Sequence, residues 1–284
     1  MNTSRRRPGF MLLVPPGAAC YTLVVMLVTI PDSALPFGFA NDPAGTHGSR
    51  TMMLAELRLL LAARPESASL EDYRQAILED NVLLKKTLAT RRESLRRLRE
   101  LYALNRRVLL FRALRDLWEG DAEAQPLLAL LCACARDPIL RATADMILAA
   151  PPGEQVTPYM ISRAAEGGFP GRWNAMTLAK IGRNAASSWQ QSGHLTGRLT
   201  KVRAKAGSRP AAAAYALFLG YLCGERGEAL FDTLWTRLLD APLHLLHDQA
   251  FTASQQGWLE YRHTGMVTEI SFRHLLRAEG AGEA

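Results

Sequence analysis

Apolar residues recur at three- and four-residue steps through most of the chain beyond residue 53, a spacing that predicts helices. The pattern predicts a first helix from Leu54 to Ala63, stopped by Pro65, and a second helix capped by Ser69. Thr90 and Glu93 have the spacing of a capping box for a long basic helix. β-branched residues are sparse in the middle of the chain. The prediction is therefore an all-α, compact helical globule with short β-hairpin wings at most.

Proline and glycine give the clearest division of this helical body. The Pro151 to Gly153 stretch is the strongest internal boundary, and it separates a region of residues 49–150 from a region of residues 151–276. Residues 277–284 are expected to form a flexible tail. The alanine-rich run from Pro210 to Gly220 is apolar on every side, which predicts a buried helix.

A helix-turn-helix pattern begins at Trp173. Apolar residues recur at helical spacing from Trp173 to Arg183, a break is expected near Asn184, and a short polar helix is predicted from Ala185 to Ser192. Its side chains are short or carry amides, which suits them to base edges or phosphates in a major groove. Trp189 is interpreted as the anchor that packs this helix. A turn at Thr196-Gly197 and a basic strand then predict a wing that contacts phosphates.

The C-terminal region repeats the order of helix, helix and wing. A helix, a turn and a short helix are predicted to end at Gly257, and a hairpin follows with its turn at His263 to Gly265. Glu260 and Glu269 lie on the two predicted strands, so the charge of this unit is mixed. Packing on protein is at least as good an interpretation of this second unit as contact with DNA.

The charge of the chain is concentrated in two windows. The net charge is +7, and the window from Gly167 to Gly224 contains eight bases and no acid. The window from Lys85 to Arg115 contains eleven bases and two acids, Glu93 and Glu100. Solvated surfaces usually mix charges of both signs, so these windows favour a polyanionic partner. For the second window alone, a solvated helix face whose arginine stems cover the core is the competing interpretation.

The two windows supply the residues predicted to contact DNA. One group lies in the first window, and the second group is a stripe on the predicted basic helix. The predicted DNA-binding residues are Arg172, Lys180, Arg183, Ser187, Ser188, Gln190, Gln191, His194, Arg198, Lys201, Arg203 and Lys205, together with Arg92, Arg96 and Arg99.

The chain carries no familiar catalytic or cofactor-binding motif. It has no phosphate-cradling glycine loop, no GxSxG and no HExxH sequence, so neither a catalytic site nor a cofactor nor a small-molecule substrate is predicted. His244 and His247 are three residues apart but lack a further ligand nearby, so no metal site is predicted. The cysteines lack metal-binding spacing and are expected to be reduced and buried, as is usual in a reducing cytoplasm; they are Cys20, Cys132, Cys134 and Cys223.

The first 48 residues admit several interpretations. An arginine triplet at residues 5–7 precedes an uncharged run, which gives the outline of a signal peptide with cleavage near Asn41. Prolines interrupt the run, and its clean apolar part from Tyr21 to Ile30 is too short to span a bilayer. The preferred interpretation is a start codon assigned too far upstream, with translation beginning near Met52 or Met53. A membrane association is therefore not expected, and the predicted location is the cytoplasm.

The stretches "ARDP" (135–138), "SSWQQSGHL" (187–195) and "LGYLCGERG" (219–227) are the most specific pieces of a resemblance that runs from about Gly48 to Phe272. With these stretches the chain resembles the BrxA family, a helical core component of bacteriophage exclusion (BREX) defence systems. It implies a helical body likened to the antitermination protein NusB, with helix-turn-helix elements beside a positive surface. It also implies binding to double-stranded DNA, within a system that methylates host DNA and blocks phage replication, and it implies no catalytic residues. Other BREX components are the further partners to expect.

Taken together, the pattern, the charge and the resemblance predict a cytoplasmic, non-enzymatic DNA-binding protein of a phage-defence system. Two alternatives stay open on the sequence. An RNA-binding protein would use the arginine stripe of the basic helix, because A-form RNA hides its major groove. A protein–protein adaptor would use the basic surfaces to dock an acidic partner of the defence complex.

Overall fold

The computed structural model describes residues 29–43, 45–265 and 267–277. Their helices are α1 (Leu54–Ala62), α2 (Leu70–Leu78), α3 (Leu88–Tyr102), α4 (Leu109–Trp118), α5 (Gln125–Arg136), α6 (Pro138–Arg141), α7 (Ala144–Ala149), α8 (Pro158–Gly168), α9 (Ala175–Gln191), α10 (Pro210–Leu222), α11 (Leu234–Arg237), α12 (Leu243–Gln255) and α13 (Arg273–Leu276). Two short antiparallel hairpins complete the fold: β1 (Leu195–Thr196) with β2 (Val202–Arg203), and β3 (Glu260–Thr264) with β4 (Val267–Ser271). This architecture confirms the predicted all-α class.

Helices α5 and α10 form the centre of the molecule. Every residue from Leu127 to Ala135 in α5 is buried, and so is every residue from Ala211 to Gly220 in α10. Helix α10 packs on α4, α5, α11 and α12, which explains why its sequence is apolar all round. The prediction of a buried helix over Pro210 to Gly220 is confirmed. Cys132 and Cys134 are buried as predicted, and burial raises the pKa of the Cys132 thiol to about 11.

The helix starts follow the capping residues of the sequence, with one correction. Ser69 caps α2 in a full capping box with Asp72, as the sequence predicts. The long basic helix α3 begins earlier than predicted, because the Thr87 hydroxyl accepts from the backbone N–H of Thr90 at 3.2 Å and serves as the N-cap. Glu93 is then an interior residue of α3, free to pair with arginines one turn further along.

The described residues between Ile30 and Gly48, which are 30–43 and 45–48, pack on the helical body. Ile30, Phe39 and His47 are buried, and the Phe39 ring lies 5.6 Å from the Trp235 ring, centroid to centroid. The Asn41 side chain exchanges two hydrogen bonds with the backbone of Ile30, at 3.1 and 2.8 Å. These residues contribute to the core, and the predicted start of translation near Met52 or Met53 stays a prediction.

The predicted C-terminal hairpin is present, but the helix before it is not split. Helix α12 runs unbroken to Gln255, so the predicted turn inside it is wrong. Strands β3 and β4 pair Glu260 with Ser271 and Arg262 with Glu269, which confirms the expected alternation of faces. The predicted turn at His263 to Gly265 lies one residue early, because Thr264 still pairs with Val267.

The apolar N-terminal stretch lies outside the described residues up to residue 28, as does the tail beyond residue 277. Among the residues that are described, no helix combines the length and the apolar character needed to cross a bilayer.

Candidate nucleic-acid interface

Helix α9 is one continuous helix across the predicted break. Asn174 caps its start by accepting from the Thr177 N–H at 2.9 Å, and the helix then runs for 17 residues to Gln191. Asn184 does not end the helix; its side-chain amide donates to the carbonyl oxygen of His47 at 3.0 Å. The alanines that follow Asn184 are the strongest helix formers and carry the helix through. The predicted helix-turn-helix between Trp173 and Ser192 is therefore wrong.

An antiparallel partner, α8, packs against the first half of α9. Ala165 of α8 and Ile181 of α9 meet Ile139 in a small apolar cluster, with Trp173 against it. The two helices approach closely at Gly182, where an added Cβ would lie 2.1 Å from the carbonyl oxygen of Pro158. The pair is a helical hairpin followed directly by the β1–β2 hairpin.

The second half of α9 is anchored in the main core. Ala185 and Trp189 are buried, and the indole Nε1 of Trp189 donates to the Thr143 hydroxyl at 2.8 Å. The interpretation of Trp189 as a packing anchor is confirmed. The same helix therefore has one face in the core and an opposite face towards solvent.

A segment of residues 46–54, termed the strap, crosses the side of α9 and uses two of the predicted DNA-contacting residues. The Met52 N–H donates to Ser188 Oγ at 2.8 Å, and the Leu54 N–H donates to Gln191 Oε1 at 3.0 Å. Ser188 is fully buried. Ser188 cannot contact DNA because its hydroxyl is enclosed by protein, and the assignment of Gln191 fails in part because its carbonyl oxygen holds the strap.

His47 links the strap to α9 and to the start of α6. Its Nε2 lies 2.8 Å from Ser188 Oγ, and its Nδ1 lies 2.7 Å from Asp137 Oδ2. Asp137 also caps α6, where its Oδ1 accepts from the Ile139 N–H at 2.9 Å. A Cβ at Gly45 would lie 2.1 Å from Asp137 Oδ1, so this contact requires glycine at the entry to the strap.

The charge state of Asp137 follows from these contacts. Burial raises its pKa, but the charge of His47 and the hydrogen bonds from His47 and Ile139 outweigh burial, so the pKa of Asp137 lies below its usual value. The carboxylate is therefore ionised and fully hydrogen-bonded, as a buried charge must be.

Ser188, His47 and Asp137 are linked by hydrogen bonds in the same way as the serine, histidine and acid of a serine-hydrolase triad. Their setting does not suit catalysis. Ser188 and His47 are wholly buried, and the Ser188 hydroxyl also donates to the Asn184 carbonyl at 3.0 Å. A nucleophile must reach a substrate, so this network is assigned to holding the strap on α9.

Two further predicted contact residues, one just before β1 and one in β2, are buried. His194 Nε2 donates to the Leu238 carbonyl at 3.0 Å, and burial lowers the pKa of His194 to about 4, so its ring is neutral. Arg203 donates from Nε to the Ile147 carbonyl at 2.8 Å and pairs with Asp240 at 2.9 Å. His194 and Arg203 were wrongly assigned to the DNA surface, because both satisfy interior hydrogen-bond acceptors.

Of the remaining wing residues, Lys201 is hydrogen-bonded to other parts of the chain, and Arg198 and Lys205 are exposed. The Lys201 ammonium is hydrogen-bonded to the Gln190 side chain and to the Gly197 carbonyl, which draws it back onto the end of α9. Burial lowers the pKa of Lys201. Arg198, in the loop between β1 and β2, and Lys205, just after β2, are exposed. The predicted wing is therefore short, with Arg198 and Lys205 as its outward charges.

One face of α9 points away from the core; it is exposed up to Arg183 and half-buried at Ser187 and Gln190. The residues that share it, at steps of three and four, are Met176, Lys180, Arg183, Ser187 and Gln190. Within the described parts of the chain, neither Lys180 nor Arg183 has an acidic partner. Arg172 lies in the α8–α9 loop, at the start of this face, with Asp42 3.8 Å away. We term these residues, from Arg172 to Gln190, the α9 face.

Sequence reasoning missed one exposed base on the strap. Arg50 is exposed in the middle of the strap, between His47 and Met52, which both contact Ser188. It has no acidic partner within the described residues. Nothing in the local sequence marks Arg50, because only the fold lays the strap along α9.

The stripe on α3 is less strongly positive than its sequence suggests. Glu93 pairs with Arg96 and Arg97, and these bonds lower the pKa of Glu93 to about 2. Arg92 and Arg99 are exposed without an acidic partner among the described residues. The three predicted residues Arg92, Arg96 and Arg99 do share one groove, but Arg96 is largely neutralised by its own helix.

The strap also connects the two basic regions. Glu100 of α3 accepts from the Thr46 hydroxyl at 2.8 Å, next to His47, which binds Ser188 of α9. Both helices pack on α5. The strap therefore contacts α3 through Glu100 and α9 through Ser188.

No protein-family model matches the chain, and no curated protein matches its sequence.

Proposed function

We propose that the chain is a cytoplasmic, non-enzymatic protein that binds double-stranded DNA through the α9 face and the β1–β2 hairpin. Its role in a bacterial phage-defence complex, alongside other BREX components, is proposed on the resemblance to the BrxA family alone. The observation that supports DNA binding is the composition of the α9 face. Two exposed bases that have no acidic partner among the described residues share one side of a continuous helix with a half-buried hydroxyl and a half-buried amide.

The dimensions of α9 suit a major groove. A 17-residue helix is about 25 Å long, and Lys180 and Gln190 are about 15 Å apart along it, at about 1.5 Å per residue. The major groove of B-DNA, about 12 Å wide, admits one such helix. In this arrangement Ser187 faces base edges, while Lys180 and Arg183 face the phosphates of the groove walls. Gln190 contributes through its amide nitrogen, because its Oε1 accepts from Lys201.

Flanking bases extend the phosphate contacts beyond the helix. Arg172 precedes α9, Arg198 and Lys205 follow it, and Arg50 lies beside it on the strap. Backbone contacts of this kind orient a helix in the groove without reading sequence. Arg92 and Arg99 on α3 form a separate site for a phosphate backbone. The ion-paired acids Glu93 and Glu100 lie on the same helix.

A mobility-shift assay with the full chain tests this proposal. A labelled duplex of about 30 base pairs is titrated with protein at low salt, with unlabelled duplex DNA or a structured RNA hairpin as competitor. We expect a shift that duplex DNA removes at lower concentration than RNA does. Preferential competition by RNA would support the RNA-binding alternative, and the absence of any shift at low salt would support the adaptor alternative; either result overturns the proposal.

A further inference from the structure

Three side chains from separate elements meet beside the C-terminal hairpin. Glu228 lies in a short 3-10 helix (Gly227–Asp232), His247 on α12 and His263 on β3. Each offers one ligand atom, and these atoms all lie within 4.8 Å of one another. The His247 Nε2 and the Glu228 Oε1 are 3.2 Å apart. In the sequence, His247 stands three residues from His244. In the fold, the residues that lie next to His247 are instead His263 and Glu228, which come from separate elements.

In each imidazole one nitrogen, Nδ1, has a hydroxyl partner. His247 Nδ1 is 2.7 Å from the Tyr261 hydroxyl, and His263 Nδ1 is 2.8 Å from the Thr268 hydroxyl. The Thr268 hydroxyl donates to Glu228 Oε2, so it accepts from His263 Nδ1–H. That tautomer leaves the Nε2 lone pair of His263 free. Histidines that bind metals usually show this arrangement, in which the outer nitrogen is fixed by a hydrogen bond.

Aromatic rings hold the two imidazoles in place. Phe231 stacks on His247 with centroids 4.1 Å apart, and Tyr261 lies parallel to His263 at 6.3 Å. The position of each ring is therefore set by packing as well as by hydrogen bonds.

We propose that Glu228, His247 and His263 bind a divalent transition-metal ion of the zinc class. Two imidazole nitrogens and one carboxylate oxygen form a ligand set that Zn²⁺ accepts, with a water in the fourth position. Ligand atoms around tetrahedral Zn²⁺ lie about 3.3 Å apart, since each bond is about 2.0–2.1 Å long. The His247–Glu228 pair already has this separation. His263 and Glu228 are exposed, so they can adjust their positions and the ion has a path of entry.

The ion would join three elements of the C-terminal region. It would link the 3-10 helix, α12 and the β3–β4 hairpin, which is a two-stranded unit that gains little stability alone. Its role is therefore to fix the hairpin on α12. Metal binding at this site does not depend on the proposed DNA binding, because none of its ligands belongs to the α9 face.

Zinc titration of the tag-free full chain tests this site. By isothermal titration calorimetry we expect one Zn²⁺ per chain in the wild type. His263→Ala should weaken binding by about 100-fold or more, since losing even an outer hydrogen-bond partner of a metal ligand typically costs 10- to 100-fold. Thr268→Val, which removes the bonds to both His263 and Glu228, should weaken it by about tenfold. His244→Ala is the matched control, because His244 is exposed one turn earlier on α12 and outside the cluster.

Cobalt provides a second readout that does not depend on stability. Co²⁺ bound to the wild type should give the intense visible bands of a four-coordinate ion, and His263→Ala should lose them while retaining its helical circular dichroism. Absence of stoichiometric binding in the wild type would overturn the proposal. So would equal losses in the His244→Ala and His263→Ala variants, because the ion would then bind the surface without a defined site.

Discussion

His47 Nε2 and Ser188 Oγ lie 2.8 Å apart in the interior and join residues 141 positions apart in the sequence. The same serine accepts from the Met52 N–H and donates to the Asn184 carbonyl. Ser188 belongs to the polar run that carries the resemblance to the BrxA family. Part of that run therefore serves to hold the strap on α9, and only Ser187 and Gln190 on the outward side are left to face a ligand.

Ser188→Ala should destabilise the fold and leave the surface intact. The substitution leaves the Met52 N–H and one nitrogen of His47 buried without a partner, at a cost of about 1–3 kcal/mol in the free energy of unfolding. Urea denaturation measures the loss. Ser187→Ala, one residue away on the half-exposed side, is the control and should stay within about 0.5 kcal/mol of wild type. Equal stabilities for the two variants would contradict the assigned role of Ser188.

Phe39→Ala should show that residues 30–41 belong to the folded body. Phe39 is buried against Trp235, and truncating a core phenylalanine costs about 3–5 kcal/mol in the free energy of unfolding. Phe251→Ala is the control, because Phe251 is 55% exposed on α12. A Phe39→Ala variant as stable as the control would mean that this segment does not pack on the core.

His194 should make stability depend on pH. Burial holds its folded pKa at about 4, below the ordinary value of about 6.5, so the unfolded chain takes up the proton first. The stabilisation is complete above about pH 6.5 and is lost as the pH falls towards 4, by up to about 3 kcal/mol. Urea denaturation between pH 7 and pH 4.5 measures the slope.

A His194→Gln variant isolates this contribution. Its amide can still donate to the Leu238 carbonyl but does not titrate, so its stability should fall less than that of the wild type over the same pH range. His244→Gln, on the exposed side of α12, should keep the wild-type slope. If His194→Gln also kept that slope, His194 would not be the group responsible.

Local signals in the sequence predicted the elements well. The apolar run of α10, the Ser69 cap and the alternation in the β3–β4 hairpin all depend on neighbours within a few residues, and each is confirmed. The break near Asn184 was wrong because a polar residue inside a helix looks the same whether it ends the helix or binds another segment.

The candidate site depended on contacts that no local window contains. Arg203 lies in an acid-free run, yet its partner Asp240 follows 37 residues later, so the run overstates the charge of the surface. Ser188 and Gln191 share a helix with Lys180, and only the strap distinguishes their buried side from the open one. Likewise, His263 and Glu228 join His247 only after the hairpin has folded.

The salt dependence of DNA binding by a charge-depleted α9 face tests the central claim most directly. The test variant combines Lys180→Ala, Arg183→Ala and Arg198→Ala. The control combines Arg74→Ala, Arg237→Ala and Arg262→Ala, which removes the same charge from arginines paired with Glu71, Asp145 and Glu269. Affinity for one duplex is measured by fluorescence anisotropy at several salt concentrations.

Each lost phosphate contact lowers the slope of log affinity against log salt by about 0.9. We therefore expect the test variant to lose about two to three units of slope, while the control keeps the slope of the wild type. A test variant whose slope equals that of the wild type would contradict the assignment of DNA binding to α9.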